Sequence, residues 1–297
     1  MCAAPVNQSR PIDGVVLDHV AHAVPRWQDA WHRYAAELGA AWSSGGLATG
    51  FAPGQIEFGN GGRIELLMPN DVATNDFLDR FITNNGPGPH HLTFKVPNLA
   101  AALARMEAAA YDPIGVNFSD PEWMEAFIHP RQATGVVVQL AEAPAPWSSP
   151  APDDYPADRR RRLDGSGLTA PASLLWVTHA VAELDSATPL FVDLLGGRVT
   201  GEGNRPDHRW MELSWGGPVG LRLVAPTAGP ASELSRWLGP RSGRIHHLEL
   251  SAEEPESLVG AIPLEGAPPG PDQTARSTAW VIPPQENAGL RLVVLAP

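Results

Sequence analysis

The feature that most constrains this chain is that it repeats itself. Setting His19 on His91, an offset of 72, brings Val24-Pro25 onto Val96-Pro97. The same offset sets Trp27, Trp31, Tyr34 and Leu38 on Leu99, Leu103, Met106 and Ala110. Both sets follow the spacing i, i+4, i+7, i+11, which is one face of a helix. Three β-like runs follow each helix. They are Leu47–Phe51, Gln55–Phe58 and Arg63–Met68 in the first copy, and Ile114–Phe118, Met124–His129 and Val136–Ala141 in the second. With the run before each helix, the unit reads β-α-β-β-β, twice.

A second match spans the chain. At an offset of 157, His22-Ala23-Val24 meets His179-Ala180-Val181, Tyr34 meets Phe191, and Leu38-Gly39 meets Leu195-Gly196. Ile64-Glu65-Leu66 meets Leu221-Arg222-Leu223, and one residue of slippage later His90-His91-Leu92 meets His246-His247-Leu248. A constant offset carried through helix-face positions marks duplication of a whole structural unit. The expected fold is therefore α+β: four tandem βαβββ modules in two domains, residues 1–145 and 172–297. Between them, residues 146–171 are proline-rich and contain the run Arg159–Arg162. Proline at that density continues neither a helix nor a central strand, so the segment is expected to be a linker with its arginines solvated.

Charge and composition remove several classes of function. The 297 residues carry 21 Lys+Arg against 33 Asp+Glu, a net −12, so no basic surface is available to neutralise nucleic-acid phosphates. Of those 21 cations only Lys95 is a lysine. No run approaches the ~20 apolar residues of a membrane span or forms a secretory leader. The single cysteine, Cys2, rules out an intramolecular disulfide framework. These features predict a cytoplasmic protein, monomer or homodimer, acting on a small molecule and on neither nucleic acid nor membrane.

In residues 15–142 several stretches occur in a specific order. They are Leu17-Asp18-His19-Val20-Ala21, Ile64-Glu65-Leu66-Leu67-Met68-Pro69, Gly88-Pro89-His90-His91-Leu92-Thr93-Phe94, Ala126-Phe127-Ile128-His129-Pro130-Arg131 and Gly135-Val136-Val137-Val138-Gln139-Leu140. Together they resemble the vicinal oxygen chelate superfamily, which includes glyoxalases, bleomycin-binding proteins and extradiol dioxygenases, and most closely its methylmalonyl-CoA epimerases. The resemblance implies two half-open barrels, and a divalent metal (Fe, Mn, Co, Ni or Zn) held by His19, Glu65, His91 and Gln139. Strand alternation makes such a set sensible, since one inward side chain per strand can meet at a centre. An inward glutamate among apolar residues is costly to bury without a compensating cation. The second half carries Trp176, Arg222, His247 and Val293 at these positions. Trp and Val offer no ligand and Arg no free lone pair, so one metal per chain is expected, with His247 structural.

The resemblance leaves three reactions in view. The first is metal-assisted proton transfer beside a carbonyl, by an epimerase, isomerase or glyoxalase-like lyase. Where epimerases carry a glutamate on the closing strand, this chain has Gln139, which leaves Glu65 as the expected base, with Glu57 and Glu125 as weaker candidates. The acidic charge and scarcity of lysine give no sign of a CoA-phosphate site. The second is an extradiol-like Fe(II) or Mn(II) dioxygenase using His19, His91 and Glu65. The third is a ligand-sequestering resistance protein without catalysis, whose cavity Trp123, Trp210 and Trp215 would line. Trp27 and Trp31 are expected in the core, His32 and Arg131 at the surface, and Asp18 and His90 on the face of the sheet opposite the site.

Overall fold

The computed structural model describes residues 11–143, 146–156, 158–227, 232–264 and 278–297; Cys2 lies outside them. The first half runs β1 (Val16–Ala23), α1 (Gln28–Trp31), β2 (Ala41–Gly45), β3 (Gly50–Glu57), β4 (Arg63–Asn70), α2 (Phe77–Asn85), β5 (Gly88–Lys95), α3 (Leu99–Ala108), β6 (Pro113–Asn117), β7 (Met124–Ile128) and β8 (Val137–Glu142). The second half repeats the strand order, with β9 (Ser173–Val181), β10 (Arg198–Asn204), β11 (His208–Ser214), β12 (Gly220–Pro226), α4 (Glu233–Leu238), β13 (Gly243–Ser251), β14 (Ile262–Pro263), β15 (Ala279–Ile282) and β16 (Leu292–Leu295). Each half forms one eight-stranded mixed sheet. The orders are β2-β3-β4-β1-β5-β8-β7-β6 and β10-β11-β12-β9-β13-β16-β15-β14, so the two sheets have the same topology. The opening strands β1 and β5 lie side by side and antiparallel at the centre, each flanked by a parallel closing strand, β4 or β8.

This arrangement follows from the pattern of the strands. Val20, Ile64, Leu66, Leu92, Phe94, Val138 and Leu140 share one face and are buried in the main core. That core also takes in Trp27, Trp31, Tyr34 and Leu38, the predicted helix face. The helix itself is α1 followed by a π-helical turn over His32–Glu37 rather than one α-helix. Ala110 falls beyond α3 with φ of 62°, so it is not the last residue of that helix's buried stripe. The first strand after α1 is Ala41–Gly45, earlier than the expected run at Leu47–Phe51. Leu47 is instead exposed, while Trp42 packs on Trp27 with ring centroids 5.4 Å apart, fixing the earlier segment in the sheet.

Between the sheets the chain is not a loose tether. Tyr155 donates to the carbonyl of Ala40 and packs on Trp31 and Trp42. The arginine run, expected to be solvated, docks in part: Arg160 donates to the Glu253 carbonyl at 2.6 Å and Arg162 pairs with Glu253 at 2.7 Å. Partners some 90 residues away in sequence were invisible to a charge-run argument.

The two halves also clasp each other reciprocally. His22 of β1 donates from Nε2 to the Ala288 carbonyl at 2.8 Å, and His179 of β9 approaches the Thr134 carbonyl with Nε2 at 2.9 Å. Ala288 and Thr134 both have positive φ, 43° and 47°, and each precedes a glycine. A Cβ on Gly135 would collide with the backbone of Gly243, and one on Gly289 with the Pro87 carbonyl. The duplicated turns thus make the same close backbone approach in each direction. Among the described residues no helix is long and apolar enough to cross a membrane.

Candidate metal centre

The side chains that share the other face of the first sheet build the site. Register pairs Ala21 with Glu65 across β1 and β4, Ala21 with His91 across β1 and β5, and Gln55 with Glu65 across β3 and β4. Paired residues present their side chains to the same face, so one strand each delivers His19, Glu65 and His91 to a common point. Their ligand atoms all lie within 4.8 Å of one another, and all three residues are buried. Glu65 Oε2 stands 3.7 Å from His19 Nε2 and 3.8 Å from His91 Nε2. Neither Nε2 has a hydrogen-bond partner. Two buried imidazole nitrogens aimed at one carboxylate, too far for hydrogen bonds and otherwise unsatisfied, fit the donor set of a divalent cation.

Two irregularities in the strands orient the imidazoles. Pairing of β1 with β5 slips between Leu17 and His19, and again opposite His90. A bulge sets two consecutive residues against one partner and turns both toward the same side. Asp18 and His90, expected on the opposite face by simple alternation, are therefore brought round beside the ligands. Asp18 Oδ2 accepts from His19 Nδ1 at 2.8 Å. His90 Nδ1 lies 2.8 Å from His91 Nδ1. In both cases Nδ1 is occupied and Nε2 is left to the centre, which is how ligating histidines are usually held. His90 itself rests edge-on against Phe81 of α2, at 4.6 Å.

Titration of these groups follows from their contacts. Burial pushes His19 down, but the charge of the Glu65 carboxylate and the hydrogen bond and charge of Asp18 outweigh it and lift the imidazole to about 9. Asp18 is driven up by burial. The hydrogen bond and charge of His19, with Lys95 and Arg63 beside it, win and hold it well below the usual carboxylate range. His91 is held well below its ordinary value, by burial first and then by the neighbouring imidazoles.

Gln139, the fourth expected ligand, is buried on β8 next to Thr93. Its carbonyl oxygen accepts from the Thr93 hydroxyl at 2.6 Å and its amide donates to Glu125 Oε2 at 2.6 Å. The structure thus brings it beside the three ligands with its amide tied on both sides. Glu125 of β7 also accepts from the Trp123 indole at 3.0 Å. Burial raises the Glu125 pKa, opposed by these two hydrogen bonds and aided by the charge of Glu65. Trp123 stacks on His19 at 6.4 Å with 28° between the ring planes. Glu57, by contrast, is ion-paired to Arg63 at 3.2 Å and partly open to solvent. Trp210 and Trp215 belong to packing elsewhere: Trp210 to the cluster under α4, and Trp215 to the Leu195 carbonyl and the ring of Phe94. His32 and Arg131 are exposed, as their sequence positions suggest.

In the second sheet the matching place holds a cation that belongs to the chain. Arg222 donates to Glu212 at 3.0 and 2.8 Å and to Glu249 at 2.6 and 3.3 Å. Its guanidinium lies 5.0 Å over the ring of Trp176, which occupies the position of His19. His247 is buried there, with Nδ1 2.7 Å from His246.

Comparison with known proteins agrees with this geometry. Residues 18–127 match the Glyoxalase/Bleomycin resistance protein/Dioxygenase superfamily. No curated protein matches the chain. Among solved structures, methylmalonyl-CoA epimerase from Mycobacterium tuberculosis is 25% identical over 49% of this chain and 94% of its own, with a TM-score of 0.41. A hypothetical protein from Bacillus halodurans C-125 is 23% identical over 48% and 100%, with a TM-score of 0.40. A triple mutant of 4-hydroxymandelate synthase from Streptomyces coelicolor is 12% identical but aligns over 95% of this chain and 92% of its own, with a TM-score of 0.62. Residues 18–127 are thus similar to the glyoxalase/bleomycin resistance/dioxygenase superfamily, and the whole chain has the two-domain fold of that synthase.

Proposed function

We propose that the N-terminal domain is a divalent-metal-dependent enzyme that transfers a proton beside a carbonyl or carboxylate of a small substrate, as an epimerase, isomerase or glyoxalase-like lyase. His19, Glu65 and His91 would hold the ion, with Gln139 beside them. A bound ion there supplies Lewis acidity to an enolate-like oxygen. The observation that carries the reading is Glu125. A proton-transfer enzyme needs a base that is not consumed in holding the metal. Glu65 faces both imidazoles, whereas Glu125 is a second carboxylate at the same centre, held by Trp123 and Gln139. Its raised pKa suits a group that must both take and return a proton. The carboxylate missing from β8 is thus supplied from the adjacent strand β7. Glu65 holds the ion in this reading, and Glu125 moves the proton.

The test is solvent deuterium exchange into 2-substituted carbonyl acids or hemithioacetals by metal-loaded protein. E125Q is expected to lose exchange by at least a hundredfold while keeping its metal, and E65Q to lose the metal itself. Retained exchange in E125Q would return the role of base to Glu65. A second reading has an observation of its own, since two histidines and one carboxylate also suit an Fe(II) oxygenase. Oxygen uptake with Fe(II) and a catechol, without deuterium exchange, would select it.

A further inference from the structure

The proposed base sits at the end of a chain of buried hydrogen bonds that starts on the strand of His91. Thr93 follows that histidine on β5 and is wholly buried. Register sets it opposite His19 of β1 on one side and Gln139 of β8 on the other. Its hydroxyl donates to the Gln139 amide oxygen at 2.6 Å, and the amide nitrogen donates to Glu125 Oε2 at 2.6 Å. Glu125 is paired across the strands with Ala141, not with Gln139. The glutamine therefore reaches diagonally from β8 to β7, a span that a long side chain covers.

The chemistry of these groups decides which way round the amide sits. An ionised carboxylate only accepts, so it takes the nitrogen end of the glutamine. That turns the oxygen end toward Thr93, whose hydroxyl rotates to donate. A buried amide oxygen without a donor is costly, and a cation held by His19, Glu65 and His91 would compete for it. Loss of the hydroxyl would thus let the amide turn and withdraw its nitrogen from Glu125. The Trp123 indole donates to the same Oε2 at 3.0 Å, while Oε1 accepts from no group among the described residues and is not sealed in the interior. One oxygen of a half-buried carboxylate is fixed and the other is left free. The second domain, which lacks the metal set, replaces all three members of the chain: Glu249, Val293 and Ala279 stand at the matching places.

We infer that Thr93 is a positioning residue: by holding the oxygen of Gln139 it keeps the amide nitrogen on Glu125 Oε2 and so aims Oε1 at the substrate carbon. Oε1 takes the proton as the C–H bond breaks, the electron pair stays on the substrate as an enolate, and the same oxygen returns the proton. This rests on the proton-transfer reading and adds the device that orients its base. Gln139 serves the base and not the metal.

The test combines nuclear magnetic resonance of 15N-labelled, Zn2+-loaded protein with Zn2+ affinity and deuterium exchange. The Gln139 side-chain amide, assigned by its absence in Q139L, is expected downfield of ordinary glutamine amides because one proton is held by a carboxylate. T93V should move it back and T93S should leave it in place. Q139L is expected to bind Zn2+ within about threefold of wild type, whereas losing a ligand's outer partner alone costs about 10–100-fold. T93V should lower kcat for exchange by about tenfold or more at unchanged KM and metal content, with T93S restoring it. An unmoved amide signal in T93V, full exchange in T93V, or a Q139L that loses Zn2+ overturns the role of Thr93. Should T93V fail to fold, T93S and Q139L still decide it through the amide signal and Zn2+ affinity. Wild type that shows the amide shifts but exchanges no deuterium counts instead against the proton-transfer reading, and leaves the hold of Thr93 on the amide standing.

Discussion

Asp18 and His19 are consecutive in sequence, yet Oδ2 of one meets Nδ1 of the other at 2.8 Å. The slip in pairing between β1 and β5 makes this possible, since regular alternation would place the two side chains on opposite faces. The contact fixes the tautomer that leaves Nε2 for the centre. Removing the carboxylate charge should therefore weaken metal binding without removing a ligand. D18N is expected to lose about 10–100-fold in metal affinity, the usual effect of losing a ligand's outer partner. Competition titration against a chromogenic chelator measures it. An unchanged affinity would mean that His19 is oriented by packing against Trp123 instead.

Metal uptake should also release a proton. With His19 raised to about 9 in the metal-free site, its imidazole is protonated at pH 7, and that proton stands where a cation would be held. A metal must displace it, so the apparent affinity should rise about tenfold per pH unit below pH 9 and level off above. Calorimetry at pH 7 in buffers of different ionisation enthalpy should report about one proton released per metal. Zero released protons would contradict the protonated imidazole.

Stability should fall in mild acid because of the clasp between domains. Burial drives both His22 and His179 down to about 4, against hydrogen bonds to Ala288 and Thr134 that favour the charged form. Folded-state values depressed from 6.5 mean that the unfolded chain binds protons first. The stability is thus fully present above pH 6.5 and is lost as the pH falls toward 4. A loss of at least about 2 kcal/mol between pH 7 and 4.5 is expected, because each tenfold difference in proton affinity between the folded and unfolded chain is worth roughly 1.4 kcal/mol. Urea denaturation at the two pH values measures it. H22Q is expected to be less stable at pH 7 and to flatten the pH dependence. An equal slope in H22Q would place the acid sensitivity elsewhere.

The fold was legible in the sequence because duplication leaves a long-range signal that local propensity lacks. Trp27, Trp31, Tyr34 and Leu38 fall in the core as their spacing requires. His19, Glu65 and His91 meet because register carries one residue per strand to the same place. What alternation could not show were Asp18 and His90. A bulge is one residue of slippage, set by pairing with a distant strand, and nothing in Leu17-Asp18-His19 or His90-His91 announces it. Glu125 was readable only as one carboxylate among several, because its role depends on Trp123 and on the neighbouring strand that carries Gln139.

The second domain's arginine gives the last prediction. Arg222 stands where Glu65 stands in the first domain, and Glu212 and Glu249 close on it from β11 and β13. All three are almost wholly buried, so the guanidinium acts as a fixed cation shared by two carboxylates in a dry interior. R222M should leave both carboxylates without a partner. Breaking a buried pair in this way costs about 3–5 kcal/mol. The triple variant R222M/E212L/E249L removes every charge together and should recover most of that loss, because replacing a buried ion pair by apolar residues is often neutral. Chemical denaturation of the two variants and the wild type decides it. Elemental analysis of wild-type protein should give one metal per chain, since Arg222 already fills the second centre; two equivalents would show that the guanidinium gives way to an ion.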